Sequence, residues 1–161
     1  MPRSLMTLTL DDAKRMLVAA EAEARRCSTA YNIAVVDAGG HLLAFVRQDG
    51  ALIGSIDLAI HKAKTARIFD KSTADLADLA APGRPLYGIE QSNHGDVVVF
   101  GGGTPVLHQG EIIGAVGASA GSVEQDIAVA RAAAEAFADH AAQGGIGCPG
   151  AAAPAGEPSA I

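Results

Sequence analysis

Tryptophan is absent from this sequence, and aromatic residues make up only 4% of its 161 positions. A chain so poor in rings has few surfaces on which to stack a base or a flat ligand. Basic residues are in the minority too: 12 lysines and arginines against 18 aspartates and glutamates leave a formal charge of −6. Nucleic-acid binding needs a basic face for the phosphates, so this balance argues against that partner. No apolar run reaches the roughly 18 residues that a membrane-spanning helix needs. Over residues 1–30 charged side chains interrupt every apolar stretch, so no signal-peptide core is read there. The two cysteines, Cys27 and Cys148, can make no disulfide framework and show no metal spacing. These absences together predict a cytoplasmic chain that neither spans a membrane nor binds nucleic acid.

What is plentiful is small and apolar. The apolar fraction is 49%, with 19 glycines and many alanines, so the elements are expected to pack closely. The length suits one domain with its own core. Thr9 and Asp12 form a plausible capping box for a first helix, along which Ala13, Met16, Leu17, Ala20, Ala24 and Cys27 recur at helical spacing. Residues 32–38 and 41–47 are β-rich runs joined at Gly39-Gly40, a hairpin signal because both positions tolerate positive φ. A second helix follows over 54–69. Residues 70–95 read as irregular, with a short helical piece over 72–79. Asp96–Phe100 reads as a strand ended by Gly101-Gly102-Gly103, and 105–108 with 111–118 as a hairpin across Gln109-Gly110. Ser122 and Gln125 cap the last helix. The order αββαβββα predicts an α+β fold, an antiparallel sheet flanked by helices. The domain is placed at 1–142; the Gly/Ala/Pro-rich residues 143–161 are expected to be a disordered tail.

The second helix is the most informative segment. Residues placed at 100° intervals put Ile53, Ile56, Ala59, Ile60 and Ala63 on the face expected against the sheet. Leu58, Ile68 and Phe69 share the opposite side with Asp57, His61, Lys62, Lys64 and Thr65. A second, partly apolar face predicts contact with a partner copy or a ligand, hence a homo-oligomer. His61 has Asp57 one turn before it and Thr65 one turn after. A carboxylate at i−4 can hold one imidazole nitrogen and free the other for a metal or a proton. This spacing leaves metal ligation, general-base work and anion binding all open. Gly101-Gly102-Gly103-Thr104-Pro105 has the glycine content of an anion cradle. No Gly-Lys-Ser/Thr follows and Pro105 leads into a strand, so nucleotide signatures fail and a tight bend is the competing reading. The loop 84–94 gathers Arg84, Tyr87 and His94.

The runs Asp96–Leu107, Gly110–Ser119 and Glu124-Gln125-Asp126 resemble the GlcG/HbpS family, whose relatives include the C-terminal domains of PduO-type proteins. LTLDDAKRMLVAAEAEA, IAVVDAGGHLLAFVRQDGA and the segment Ala59–Ala66 carry the same resemblance over residues 7–140. Ala120 departs from it, standing where many relatives have glycine. The resemblance implies a profilin-like sandwich, assembly into dimers or rings, and haem binding, with haem degradation as the family's usual label. On that reading haem or a related small anion lies between the second helix and the bend Gly101–Thr104. His61 is then the axial ligand or a distal donor, Lys62 and Thr65 lie near the carboxylates, and Tyr87 is at hand. The alternative is an enzyme or accessory protein acting on a small oxo or hydroxy acid, with His61 as acid and base.

Overall fold

The computed structural model describes residues 4–143, so the tail expected over 143–161 lies, from 144 on, outside the described residues. The elements are α1 (Leu10–Arg26), β1 (Asn32–Asp37), β2 (Leu42–Arg47), α2 (Ser55–Ile68), α3 (Thr73–Ala80), β3 (Gly103–His108), β4 (Glu111–Ser119) and α4 (Val123–Ala142). Helix starts follow the capping chemistry of the sequence. Thr9 Oγ1 accepts from Asp12 N at 3.2 Å while Thr9 N donates to Asp12 Oδ2 at 2.9 Å. Ser122 and Gln125 repeat this box at α4, and Ser72 caps α3.

The four strands form one antiparallel sheet in the order β2-β1-β4-β3. The central strand β1 is buried on both faces, and its alternate residues serve two different layers. Ile33 and Val35 join Val116 and Ala118 of β4 against Met16 of α1 and Val129, Ala133 and Phe137 of α4. Ala34, Val36 and Ala115 point the other way, against Ala59, Ala63 and Ala66 of α2. The result is a three-layer stack, with α1 and α4 on one face of the sheet and α2 on the other. This is the predicted antiparallel sheet flanked by helices.

Two details differ from expectation. Asp96–Phe100 forms no ladder. Val97 and Val98 are buried outside any strand, and Val98 N donates to the Thr65 hydroxyl at 3.1 Å. At the first hairpin only Gly40 takes positive φ (+79°). The turn is held by Asp37 Oδ1, which accepts from Gly39 N and His41 N at 2.8 and 2.9 Å. The second hairpin matches its signal: Gln109 and Gly110 both have positive φ, the requirement of a two-residue type I′ turn.

The larger correction concerns which face of α2 is inside. Ala59, Lys62, Ala63, Thr65 and Ala66 are buried, whereas Ile53 is 76% exposed and Ile56 and Ile60 are only half-buried. Shape decides this, because β4 presents glycine to the helix. A Cβ on Gly117 would collide with the Ala59 carbonyl and the Ala63 amide. The helix backbone therefore lies almost on the strand, and only alanine-sized residues fit between.

That orientation drives Lys62, expected on the open side, into the interior at 0% exposure. Its ammonium donates to Asp126 Oδ2 at 2.5 Å and to the Ala118 carbonyl at 3.1 Å, and it lies 4.5 Å from the centroid of the Phe100 ring. Asp126 Oδ1 accepts from Ala120 N and Gly121 N, both at 3.1 Å. Burial pushes the lysine pKa down and the Asp126 carboxylate opposes that shift. Removing either partner strands a buried charge, so Lys62→Met or Asp126→Leu should each cost about 3–5 kcal/mol in urea unfolding, and the double replacement less than their sum. Additive losses would show that the pair does not couple.

The first capping box adds a pH-dependent increment. Burial raises the Asp12 pKa, but hydrogen bonds from Thr9 and the Arg15 guanidinium outweigh it and hold the carboxyl below its usual 3.8. A depressed carboxyl contributes stability above its unfolded pKa and loses it as pH falls through the folded one. Thr9→Ala should therefore cost about 1 kcal/mol at neutral pH, with the gap from wild type narrowing below pH 4 in melts across that range. A gap that stays constant into acid would remove the carboxylate from the cap.

Candidate functional site

His61 follows Ile60 and precedes Lys62 on α2, and the turn of the helix separates their surroundings. While Lys62 is enclosed, the His61 side chain is 33% exposed, with Nε2 3.8 Å from Asp96 Oδ1. The other Asp96 oxygen lies 3.8 Å from Lys64 Nζ. At 3.8 Å these are close approaches rather than hydrogen bonds. The carboxylate beside the imidazole is thus Asp96, from the loop before β3; the expected i−4 partner, Asp57, makes no ion pair with it. The backbone brings Asp96 here through two short 3₁₀ turns, Ile89–Gln91 and Asn93–Gly95. Asn93 and His94 take left-handed conformations, φ 52° and 65°, the region that asparagine and histidine populate more readily than most residues. Val98, two residues on, is then tied to Thr65 on the same helix.

The other predicted site residues fall in three places. Lys62 and Thr65 are buried and engaged, by Asp126 and by Val98 N respectively. Tyr87 is 67% exposed on the loop. Gly101, Gly102 and Gly103 are buried where the chain threads between α2 and α4 into β3. A methyl on Gly101 would meet Ile127 at 2.6 Å, and one on Gly102 (φ +116°) would meet Ala118 O at 2.7 Å and Lys62 Nζ at 2.8 Å. Gly103 N already donates to Thr73 Oγ1 at 2.8 Å, and Gly102 O accepts from Ala118 N. The bend is therefore a close-packed crossing that covers the lysine pair. Thr104, half-buried, simply continues β3.

Sequence reasoning overlooked Asp126 and Tyr31 as partners of this region. A lysine among alanines on a helix that packs on a sheet needs a buried counter-ion, and Asp126 in the first turn of α4 was available. Tyr31 is fully buried beside Gly121, its hydroxyl without a hydrogen-bond partner. Burial first, and the Asp126 carboxylate second, raise its pKa well above the ordinary phenol value. Among the described residues no three histidine, cysteine or acidic side chains converge as a metal cluster. No helix there is long and apolar enough to cross a membrane.

Known proteins share this fold. A 15.0 kDa uncharacterized protein of the dhaT-dhaS intergenic region of Citrobacter freundii is 40% identical over 137 residues, covering 85% of this chain and 96% of the relative. The crystal structure of the Klebsiella pneumoniae protein ORFY superposes with a TM-score of 0.83 at 36% identity, over 85% of this chain and 94% of that one. The crystal structure of a PduOC–haem complex superposes with a TM-score of 0.77 at 38% identity, over 80% of this chain and 94% of that one. The family model for haem-degrading HbpS-like proteins matches residues 8–135. The chain belongs to the HbpS-like family of haem-degrading proteins.

Proposed function

We propose that this protein binds haem in the cytoplasm as a homo-oligomer, with His61 as the iron ligand. The observation that carries the reading is the PduOC–haem complex, a fold relative at 38% identity, set beside the state of the five histidines here. His41 is 82% exposed and hangs on the hairpin near Asp37. His94 is exposed in a left-handed turn, His108 packs edge-on against Phe137, and His140 lies in the last turn of α4. His61 alone stands part-buried on a helix that packs on the sheet with a carboxylate near its Nε2. An imidazole so placed suits haem iron. Bound haem would supply the redox-active iron. The chain's own contribution is to aim His61, with Asp96 and Lys64 setting the charge beside it. Lys62, Thr65 and the glycine bend serve this site by fixing α2, since their polar groups are committed to Asp126, Val98 and Thr73.

Haemin titration of the purified protein should produce a sharpened Soret band. His61→Ala should shift or abolish that band and His108→Ala should leave it. Identical spectra for wild type and His61→Ala would remove His61 from the ligand role.

Assembly is supported by the apolar side chains the fold leaves outside. Leu42 on edge strand β2 is 50% exposed, and Leu52 and Ile53, just before α2, are 62% and 76% exposed. Apolar groups in such numbers on one chain favour burial against a second copy. Light scattering at micromolar concentration should return a multiple of the monomer mass. A monomer mass across that range, together with Ile53→Glu leaving it unchanged, would overturn this part of the reading.

A further inference from the structure

A second place on the molecule has the makings of a ligand site, away from His61. Residues 4–8 run beside the start of β4 and are pinned there: Leu8 N donates to the Ile113 carbonyl at 3.1 Å, and Ala38 N donates to the Thr7 hydroxyl at 3.0 Å. Between this segment, the C-terminal turn of α2 and the first residues of β4 lies an open cleft of about 420 Å³, lined by Ser4, Leu5, Arg67, Asp70, Glu111 and Ile112. A volume of roughly 300–1,000 Å³ is usual for a small-molecule site.

The polar groups of the cleft are incompletely matched. A guanidinium carries five N–H donors. Arg67 uses one on Asp70; its Nε is enclosed without an acceptor, so the donors it can turn to a ligand are those of its terminal nitrogens. The side chain is only 18% exposed, so water does not freely complete the set. Asp70 sits just past the end of α2 in the left-handed region, φ 49°, and is held there by the same ion pair. Glu111 makes no ion pair among the described residues. The cleft thus offers a cation whose planar fork matches a carboxylate. Beside it are two carboxylates and the negative end of a helix, which favour an ammonium. Leu5 and Ile112 supply apolar walls.

A simple anion meets Asp70 and Glu111, and a simple cation meets Arg67. A molecule carrying both charged groups on one carbon, with an aliphatic remainder, satisfies all three. We propose that this cleft binds a small zwitterion, an α-amino acid with an aliphatic side chain, whose carboxylate Arg67 takes and whose ammonium Glu111 and Asp70 take.

Three probes of like shape test the assignment on the full chain: L-leucine, 4-methylpentanoate, which lacks the ammonium, and 3-methylbutylamine, which lacks the carboxylate. Calorimetric titration should show L-leucine binding about tenfold or more tightly than either single-charge probe, about 1.4 kcal/mol per lost charge-assisted contact. Amide shifts on adding L-leucine should cluster at Leu5, Arg67, Asp70, Glu111 and Ile112. Arg67→Lys, which keeps the charge and loses the fork, and Glu111→Gln should each weaken binding by a similar factor, whereas Lys64→Ala should not. No saturable binding of L-leucine at millimolar concentration, equal binding of a single-charge probe, or shifts that map elsewhere would each overturn the proposal. The wild-type shift map decides the matter even if a variant at Arg67 fails to fold.

Discussion

The buried ion pair between Lys62 and Asp126 is the constraint on which the placement of the other parts depends. It joins the two helices that cover opposite faces of the sheet, and it does so at the sheet's end, past Ala118, where β4 runs out and α4 begins. The ammonium reaches there because α2 lies so close to β4, and that closeness follows from Gly117. The carboxylate is held by two backbone amides of the turn into α4. The pair therefore ties α2, the end of β4 and the start of α4 in one contact, and Gly102 closes over it. Desolvating two charges is costly, and a hydrophobic pair of similar volume can match such a pair in stability. What an apolar pair could not do is specify a single rotation of α2. A helix whose inner face is mostly alanine has little side-chain relief to lock its angle, and one charged side chain with one partner supplies the missing register.

That rotation decides the functional surface. With Lys62 turned in, His61 is left at the border between helix and solvent, where Asp96 reaches it. Had the isoleucines been inside, as amphipathic spacing suggests, His61 would lie elsewhere relative to the loop. The same rotation sends Arg67 toward the N-terminal segment and β4, so both candidate sites are consequences of one packing choice. They are chemically different, an imidazole beside a single carboxylate at one and a guanidinium among carboxylates at the other.

Much of the fold was legible because local signals and tertiary structure agree. Thr9-x-x-Asp12 and Ser122-x-x-Gln125 cap the helices they predict, and Gln109-Gly110 makes its turn. The burial of β1 and β4 on both faces follows a chain that is apolar at both parities. The errors share one cause. Asp96–Phe100 has the composition of a strand, yet Val97 and Val98 find a buried place and a donor–acceptor match in Thr65 without a ladder. The α2 face was misjudged because hydrophobicity ranks isoleucine above alanine, whereas a glycine-bearing strand selects for size. Neither outcome is local, since each depends on what a distant segment presents.

The site was legible only in part, for the same reason. His61 was visible as an imidazole on a mixed helix face, but its carboxylate neighbour comes from a loop whose path depends on two left-handed residues. Lys62 was visible as a charge, and its spacing put it on the mixed outer face, near the carboxylates of a ligand. The signal that could have corrected it was Asp126, an acid in the first turn of a helix following a Gly-rich strand. Such a residue is usually assigned to the helix dipole, and here it also answers a buried lysine. Pairing unexplained charges across a sequence, before assigning either to solvent, would have turned α2 to its observed face and predicted the closure of the glycine bend. The physical reason is general: a charge on an otherwise apolar face must either reach water or find its opposite, and a helix lying this close to a strand leaves no route to water.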